Sequence, residues 1–139
     1  MNYLNLIDTA YTHFNRGDLT AYTDTLFASN VIAHFLPPEL PAGRDGVLRY
    51  YQDLQRSFPD MRFELEGTVV QIDRVALRFH IDMTHKGDYN GLAVTGKHVV
   101  LRSIMFLRFS DDQVRECWLE CDFIGLMRQL GAATLENQY

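Results

Sequence analysis

Residues 114–131 read V-R-E-C-W-L-E-C-D-F-I-G-L-M-R-Q-L-G, and this stretch decides the fold. It opens with the alternation of a strand and closes with the spacing of a helix. Asp122 stands at the junction. Trp118 and Glu120 precede it on one nominal strand face, and Cys117, Leu119 and Cys121 fall on the other. A carboxylate ending an apolar strand beside an aromatic ring suits a general acid/base, with Trp118 as one wall of its pocket. The same position, directly before F-I-G-L-M-R-Q-L, also suits a helix N-cap. Both readings stay open on pattern alone. Glu120 is expected at a rim, paired with Arg102 or Arg108.

Working back from this stretch, Asp111-Asp112-Gln113 is a turn and His98 to Phe109 a long strand. Lys86 to Lys97 is a loop rich in Gly and Asn. Its glycines are not in a phosphate-loop arrangement, and no helix follows them. Val75, Leu77, Phe79, Ile81 and Met83 alternate with polar residues, the period of a half-buried strand. Ile72-Asp73-Arg74 turns into it from another strand beginning near Arg62, with Phe63, Leu65, Gly67, Val69 and Gln71 on one face.

The N-terminal part is helical. Leu4, Ile7, Tyr11 and Phe14 form an apolar stripe over residues 2–16, and Asn15-Arg16-Gly17-Asp18 stops it. A second helix runs from Leu19 to Phe27, ended by Ser29-Asn30. Val31 to Phe35 is a short strand, and Leu36 to Pro41 is held irregular by its prolines. A third helix follows Gly43-Arg44-Asp45 to Ser57. Ala132 to Tyr139 reads as a frayed end. Helices segregated from a run of antiparallel strands predict an α+β domain: one curved sheet, helices over its concave face, and an apolar pocket between them.

The 139 residues suit one domain spanning 1–139. A net charge of −5 gives no electrostatic support for nucleic acid or an anionic membrane as partner. No apolar run approaches the length of a membrane helix. The opening M-N-Y-L-N-L-I-D has no basic region before an apolar core, so a cytoplasmic protein is expected. The two cysteines read as buried packing rather than a zinc pair, and the five histidines form no helical metal motif. His34 and His85 are candidates to face a ligand; His80 and His98 are expected to face outward or into solvent. Tyr11, Tyr22, Tyr50 and Tyr51 either line a pocket or pack as core.

Taken together, these segments resemble the SnoaL-like polyketide cyclases, in the wider fold group of ketosteroid isomerase and scytalone dehydratase. The resemblance rests on H-F-L-P-P-E-L-P-A-G-R-D-G-V at 34–47, S-F-P-D at 57–60, T-H-K-G at 84–87, G-L-A-V-T-G-K at 91–97 and E-C-W-L-E-C-D-F-I-G-L-M-R-Q-L-G at 116–131. Met83, Val94 and Asp111-Asp112-Gln113 depart from the family's usual residues. What the resemblance implies is a cone-shaped α+β barrel with an apolar pocket and no cofactor. The acid matching Asp122 would abstract a proton from carbon between two carbonyls of a polyketide ester, and the enolate would close a ring by aldol attack. His34 and His85 match family pocket positions as catalytic candidates. Thr84 and Trp118 match as substrate contacts, with Tyr11, Tyr50, Tyr51 and Arg102 as further candidates. A homodimer or homotetramer, paired through the sheet, is also implied.

Overall fold

The computed structural model describes residues 2–132 as an α+β fold with four helices and one five-stranded mixed sheet that does not close into a barrel. The chain runs α1 (Tyr3–Asn15), α2 (Leu19–Leu26), β1 (Phe27–Ala33), α3 (Arg44–Ser57), β2 (Arg62–Gln71), β3 (Arg74–Thr84), β4 (His98–Ser110), β5 (Gln113–Cys121) and α4 (Phe123–Gln129). The sheet order is β1-β5-β4-β3-β2. β2 through β5 form the expected antiparallel meander. β1 adds a parallel edge beside β5, pairing Ile32 with Glu116 and Ala33 with Cys117. Residues 133–139 of the proposed frayed end lie outside the described residues.

The helices start where the sequence supplies acceptors. Asn2 and Asp18 cap α1 and α2 with their side chains, accepting from the amides of Asn5 and Ala21. Each helix then turns one apolar stripe inward: Ile7, Ala10, Tyr11 and Phe14 from α1, Leu19, Tyr22 and Leu26 from α2, and Val47, Tyr51 and Leu54 from α3. Leu4 falls off the stripe and is exposed. No helix is long and apolar enough to cross a membrane among the described residues.

β3 and β4 alternate without a break. Val75, Leu77, Phe79, Ile81 and Met83 face the core, as do Val99, Leu101, Ser103, Met105, Leu107 and Phe109. Their neighbours on the outer face are polar or at least partly exposed. Two tight turns hold this meander in register. Ile72 adopts a left-handed conformation (φ 54°), and Asp111 and Asp112 both do so (φ 52° and 64°). Two consecutive positive φ values make a hairpin turn whose twist matches its strands.

Three expectations are corrected. α2 ends at Leu26, and Phe27 already begins β1, so Ser29-Asn30 lies inside a strand. In β2 only Phe63 is buried, because the register shifts between Leu65 and Gly67 and β2 is an edge strand; Leu65 and Val69 are exposed. The sheet is mixed rather than all antiparallel, because β1 lies parallel to β5, and it stays open where the resemblance implied a barrel.

Two glycines let chain segments meet. A Cβ at Gly46 would collide with the carbonyl of Pro41, so the proline loop lies directly on the first turn of α3. A Cβ at Gly87 would collide with the carbonyl of Arg56, so the loop after β3 is pressed onto the last turn of α3.

Candidate functional site

Between α3, the proline loop and the loop after β3 lies a chamber of about 630 Å³. Leu40, Tyr50, Leu54, Tyr89 and Phe123 give it apolar and aromatic walls, while Glu39, Asp53, Arg56 and Asp88 rim it. Tyr50 and Leu54 also border a nearly filled space of about 10 Å³ on the inner sheet face, closed by Tyr51, Phe79, Ser103, Leu119 and Cys121 among others. The chamber is thus the outer end of the helix–sheet interface.

Tyr50 is fixed by edge contacts with Phe35 (4.9 Å between ring centres) and Tyr51 (5.2 Å). Burial, reinforced by Cys121 and Tyr89 nearby, pushes its phenol well above the ordinary range. Tyr89 packs edge-on against Phe58 (5.2 Å), and burial raises its phenol too. Both hydroxyls therefore stay protonated at any physiological pH. Ser103 donates to the Cys121 sulfur at 3.2 Å. Burial raises the Cys121 thiol and pushes Cys117 up to about 12, so both remain thiols; Cys117 is buried as the packing reading expects, whereas Cys121 is only partly buried. Among the described residues, no group of three His, Cys, Asp or Glu side chains is placed to hold a metal ion.

Asp122 caps α4. Its Oδ1 accepts from the Gly125 amide at 2.8 Å, and the residue is exposed. A Cβ on Gly125 would strike this carboxylate, so the glycine makes room for the cap. The side chain borders a groove of about 380 Å³ with Glu66, Arg78, Arg102, Ile104 and Glu120. Of its chain neighbours, Cys121 borders both this groove and the inner space, and Phe123 borders the chamber.

The remaining candidates divide by sheet face. Trp118 does not wall the chamber; it is exposed on the outer face, because its cross-strand partner is Phe106 and both alternate away from the core. His34 stacks on Trp118 (4.9 Å, 12°) and pairs with Glu116 at 2.7 Å, so it too lies outside. Glu116 also accepts from Arg108 at 3.1 Å, and the His34 and Arg108 hydrogen bonds hold its carboxyl below the usual range. Arg108 thus serves Glu116, not Glu120. Arg102 is exposed on the outer face beside Asp122. His80 faces outward as expected, held by Glu66 at 2.6 Å, and His98 is exposed beside Asp82.

Tyr11 is core: it stacks on Phe63 (3.5 Å) and shares a hydrogen bond with Tyr22 at 3.1 Å. Tyr51 closes the inner space, and Tyr50 lines both spaces. Thr84 holds Asp60 through its amide and its hydroxyl, both at 2.7 Å, and does not border the chamber. His85 is fully buried behind Phe58. The Thr95 amide donates to its Nδ1 at 3.2 Å, which assigns the proton of the neutral ring to Nε2. That Nε2 has no partner among the described residues. His85 also exchanges backbone hydrogen bonds with Gly96 and Lys97, so it closes the loop that carries Tyr89 rather than touching the chamber. Sequence reasoning missed Tyr89, Phe123, Leu54 and Glu116; the glycines flanking Tyr89 marked the loop but not its docking.

The sequence matches the profile of the SnoaL-like polyketide cyclases over residues 5–130. No curated relative matches. Solved structures with the same fold include IdmH of Streptomyces antibioticus, a candidate polyketide cyclase: 28% identity, TM-score 0.82, covering 95% of this chain and 100% of that one. AclR of Streptomyces galilaeus, a candidate hydroxylase, is 25% identical with TM-score 0.81, covering 93% and 95%. A SnoaL-like polyketide cyclase of Agrobacterium tumefaciens is 25% identical with TM-score 0.77, covering 94% and 99%. A match spanning both the acid at the β5–α4 junction and the walls of the chamber makes this chain a member of the SnoaL-like polyketide cyclase family.

Proposed function

We propose that the protein is a cofactor-independent acid/base enzyme of cyclase type, acting on an apolar carbonyl compound held in the chamber beside α3, with Asp122 as its base. The supporting observation is the position of Asp122 between Cys121 and Phe123, which border the inner space and the chamber. In the working state the carboxylate leaves the Gly125 amide and turns to the substrate. It takes the proton from a carbon between two carbonyls, and the resulting enolate attacks a second carbonyl carbon of the same molecule. One C–C bond forms, and Asp122 returns the proton to the new alkoxide. Holding the chain folded in the chamber supplies the orientation term.

A simple β-keto ester tests the first step without the natural substrate. In deuterated buffer, the wild type should accelerate exchange at the central carbon, followed by NMR, and Asp122→Asn should return the rate to that of buffer. Exchange that survives in Asp122→Asn would show that Asp122 is not the base. The cap contact favours a second reading, a binding module in which Asp122 only ends α4; there the wild type gives no acceleration at all. We also propose pairing of copies through the outer sheet face, where Ile104, Phe106 and Trp118 stand exposed. Phe106→Glu should then lower the mass seen by sedimentation, and an unchanged mass refutes the pairing.

A further inference from the structure

We propose that Tyr50 and Tyr89 form the oxygen-recognising pair of the chamber: their hydroxyls donate to a carbonyl oxygen of an uncharged ligand and stabilise that oxygen as it becomes an enolate. The inference rests on the chamber being the substrate site, as proposed above, but not on Asp122.

Four observations carry it. Both residues line the same chamber. Neither hydroxyl has a hydrogen-bond partner among the described residues, and neither is among the sealed, unpartnered polar atoms, so each opens into accessible space. Both rings are locked by aromatic contacts, Tyr50 between Phe35 and Tyr51, Tyr89 on Phe58. The segment carrying Tyr89 is fastened at many points: the amides of Lys86 and Gly87 donate to the Ser57 carbonyl, the Ser57 hydroxyl donates to the Asp88 carbonyl, and Tyr89 and Leu92 exchange backbone hydrogen bonds. Donors fixed before the ligand arrives cost no reorganisation when charge develops on its oxygen.

The rim selects the ligand's charge. Glu39, Asp53 and Asp88 surround the opening, and Arg56, the rim's one basic side chain among the lining residues, is already paired with Asp53 at 2.6 Å. A ligand carboxylate would meet a net negative rim whose one basic lining side chain is already paired. A neutral ketone, ester or quinone would not be repelled by it. His85 acts here as a positioning residue, since its Nδ1 holds the Thr95 amide at the far end of the Tyr89 loop.

The probes are 2-(hydroxymethyl)-9,10-anthraquinone and anthraquinone-2-carboxylate, titrated calorimetrically, with the quinone carbonyl band followed by infrared difference spectroscopy. The wild type should bind the neutral probe more tightly than the carboxylate and shift its carbonyl band to lower frequency. Tyr50→Phe and Tyr89→Phe should each weaken binding by about three- to tenfold, one neutral hydrogen bond, and move the band back. Each variant removes a single oxygen, and circular dichroism checks that the fold is kept. Absence of neutral-probe binding to the wild type overturns the inference. So do equal affinities for the two probes, or two Phe variants that bind with wild-type affinity and band position. The two proposals fail separately. Retained β-keto ester exchange in Asp122→Asn removes the base and leaves the tyrosine pair standing; unaltered binding by the Phe variants removes the pair and leaves the base.

Discussion

Gly125→Ala separates the two uses of Asp122 better than any change to the acid itself. The three atoms nearest a Cβ at position 125 all belong to the Asp122 carboxylate, the closest of them Oδ2. An alanine there evicts the carboxylate from the cap and leaves its charge in place. The lost cap costs about 1 kcal/mol. Replacing a helical glycine by alanine returns about 1 kcal/mol, so the melting temperature should hardly move. Activity should. If the cap contact is worth about 1 kcal/mol, the released rotamer of the wild type is populated about one part in six. Evicting the carboxylate brings that fraction close to unity, so proton exchange into a β-keto ester should rise about sixfold. The assay is the NMR exchange rate per enzyme at saturating ester, with thermal unfolding recorded on the same samples. A variant that unfolds like the wild type and exchanges no faster refutes the idea that the cap holds the base in reserve.

Asp122→Asn keeps an acceptor for the Gly125 amide and Asp122→Ala removes it, so Ala should melt about 3–5 °C lower than Asn; equal melting temperatures would deny the cap any energetic role. Gly87→Ala must push the Tyr89 loop off the Arg56 carbonyl, costing about 1–3 kcal/mol in urea unfolding and weakening the neutral quinone probe; unchanged stability would contradict the close approach. The Glu116 carboxyl lies lower in the folded protein than in the unfolded chain, because His34 and Arg108 donate to it. Its stabilisation is therefore present above the unfolded value of about 4.3 and is lost as pH falls through the folded one. Glu116→Gln should accordingly lose less melting temperature than the wild type between about pH 5 and pH 3, and parallel acid limbs would refute the assignment.

The elements legible in the sequence are those whose pattern is set by burial on one face. Val75 to Met83 alternate because β3 is flanked on both edges and packed on one side, so every second residue meets the core. Where burial does not enforce alternation, the pattern misleads. In β2 a register shift beside Leu65 and an open edge remove the need for it. Phe27 follows Leu26 with no polar break, and both are fully buried, so composition could not mark where helix gave way to strand. The site was half legible for a related reason. Alternation in β5 separates Trp118 and Glu120 from Cys117, Leu119 and Cys121, but it cannot say which set faces inward. Only the pairing of Phe106 with Trp118, and of Met105 with Leu119, assigns the cysteine face to the core. Tyr89 belongs to no periodic element; backbone hydrogen bonds to the end of α3 bring it to the chamber.

The same geometry explains why the acid sits at 122 rather than inside β5. A strand residue is committed to one face: Glu120 points out, and Leu119 and Cys121 point in. Asp122 has left the strand conformation (φ −81°, ψ 72°), so the alternation no longer dictates where its side chain goes. It is the first residue past the sheet, and the proposed role needs its carboxylate to rotate from the helix cap toward the chamber. This gives a positional test. In an Asp122→Asn background, Glu120 remains only two residues away, yet it should support no exchange, because its side chain leaves the strand on the outer face. Exchange that survives Asp122→Asn but is lost on adding Glu120→Gln would show that Glu120 reaches the substrate and that the division of the two sheet faces does not govern the chemistry.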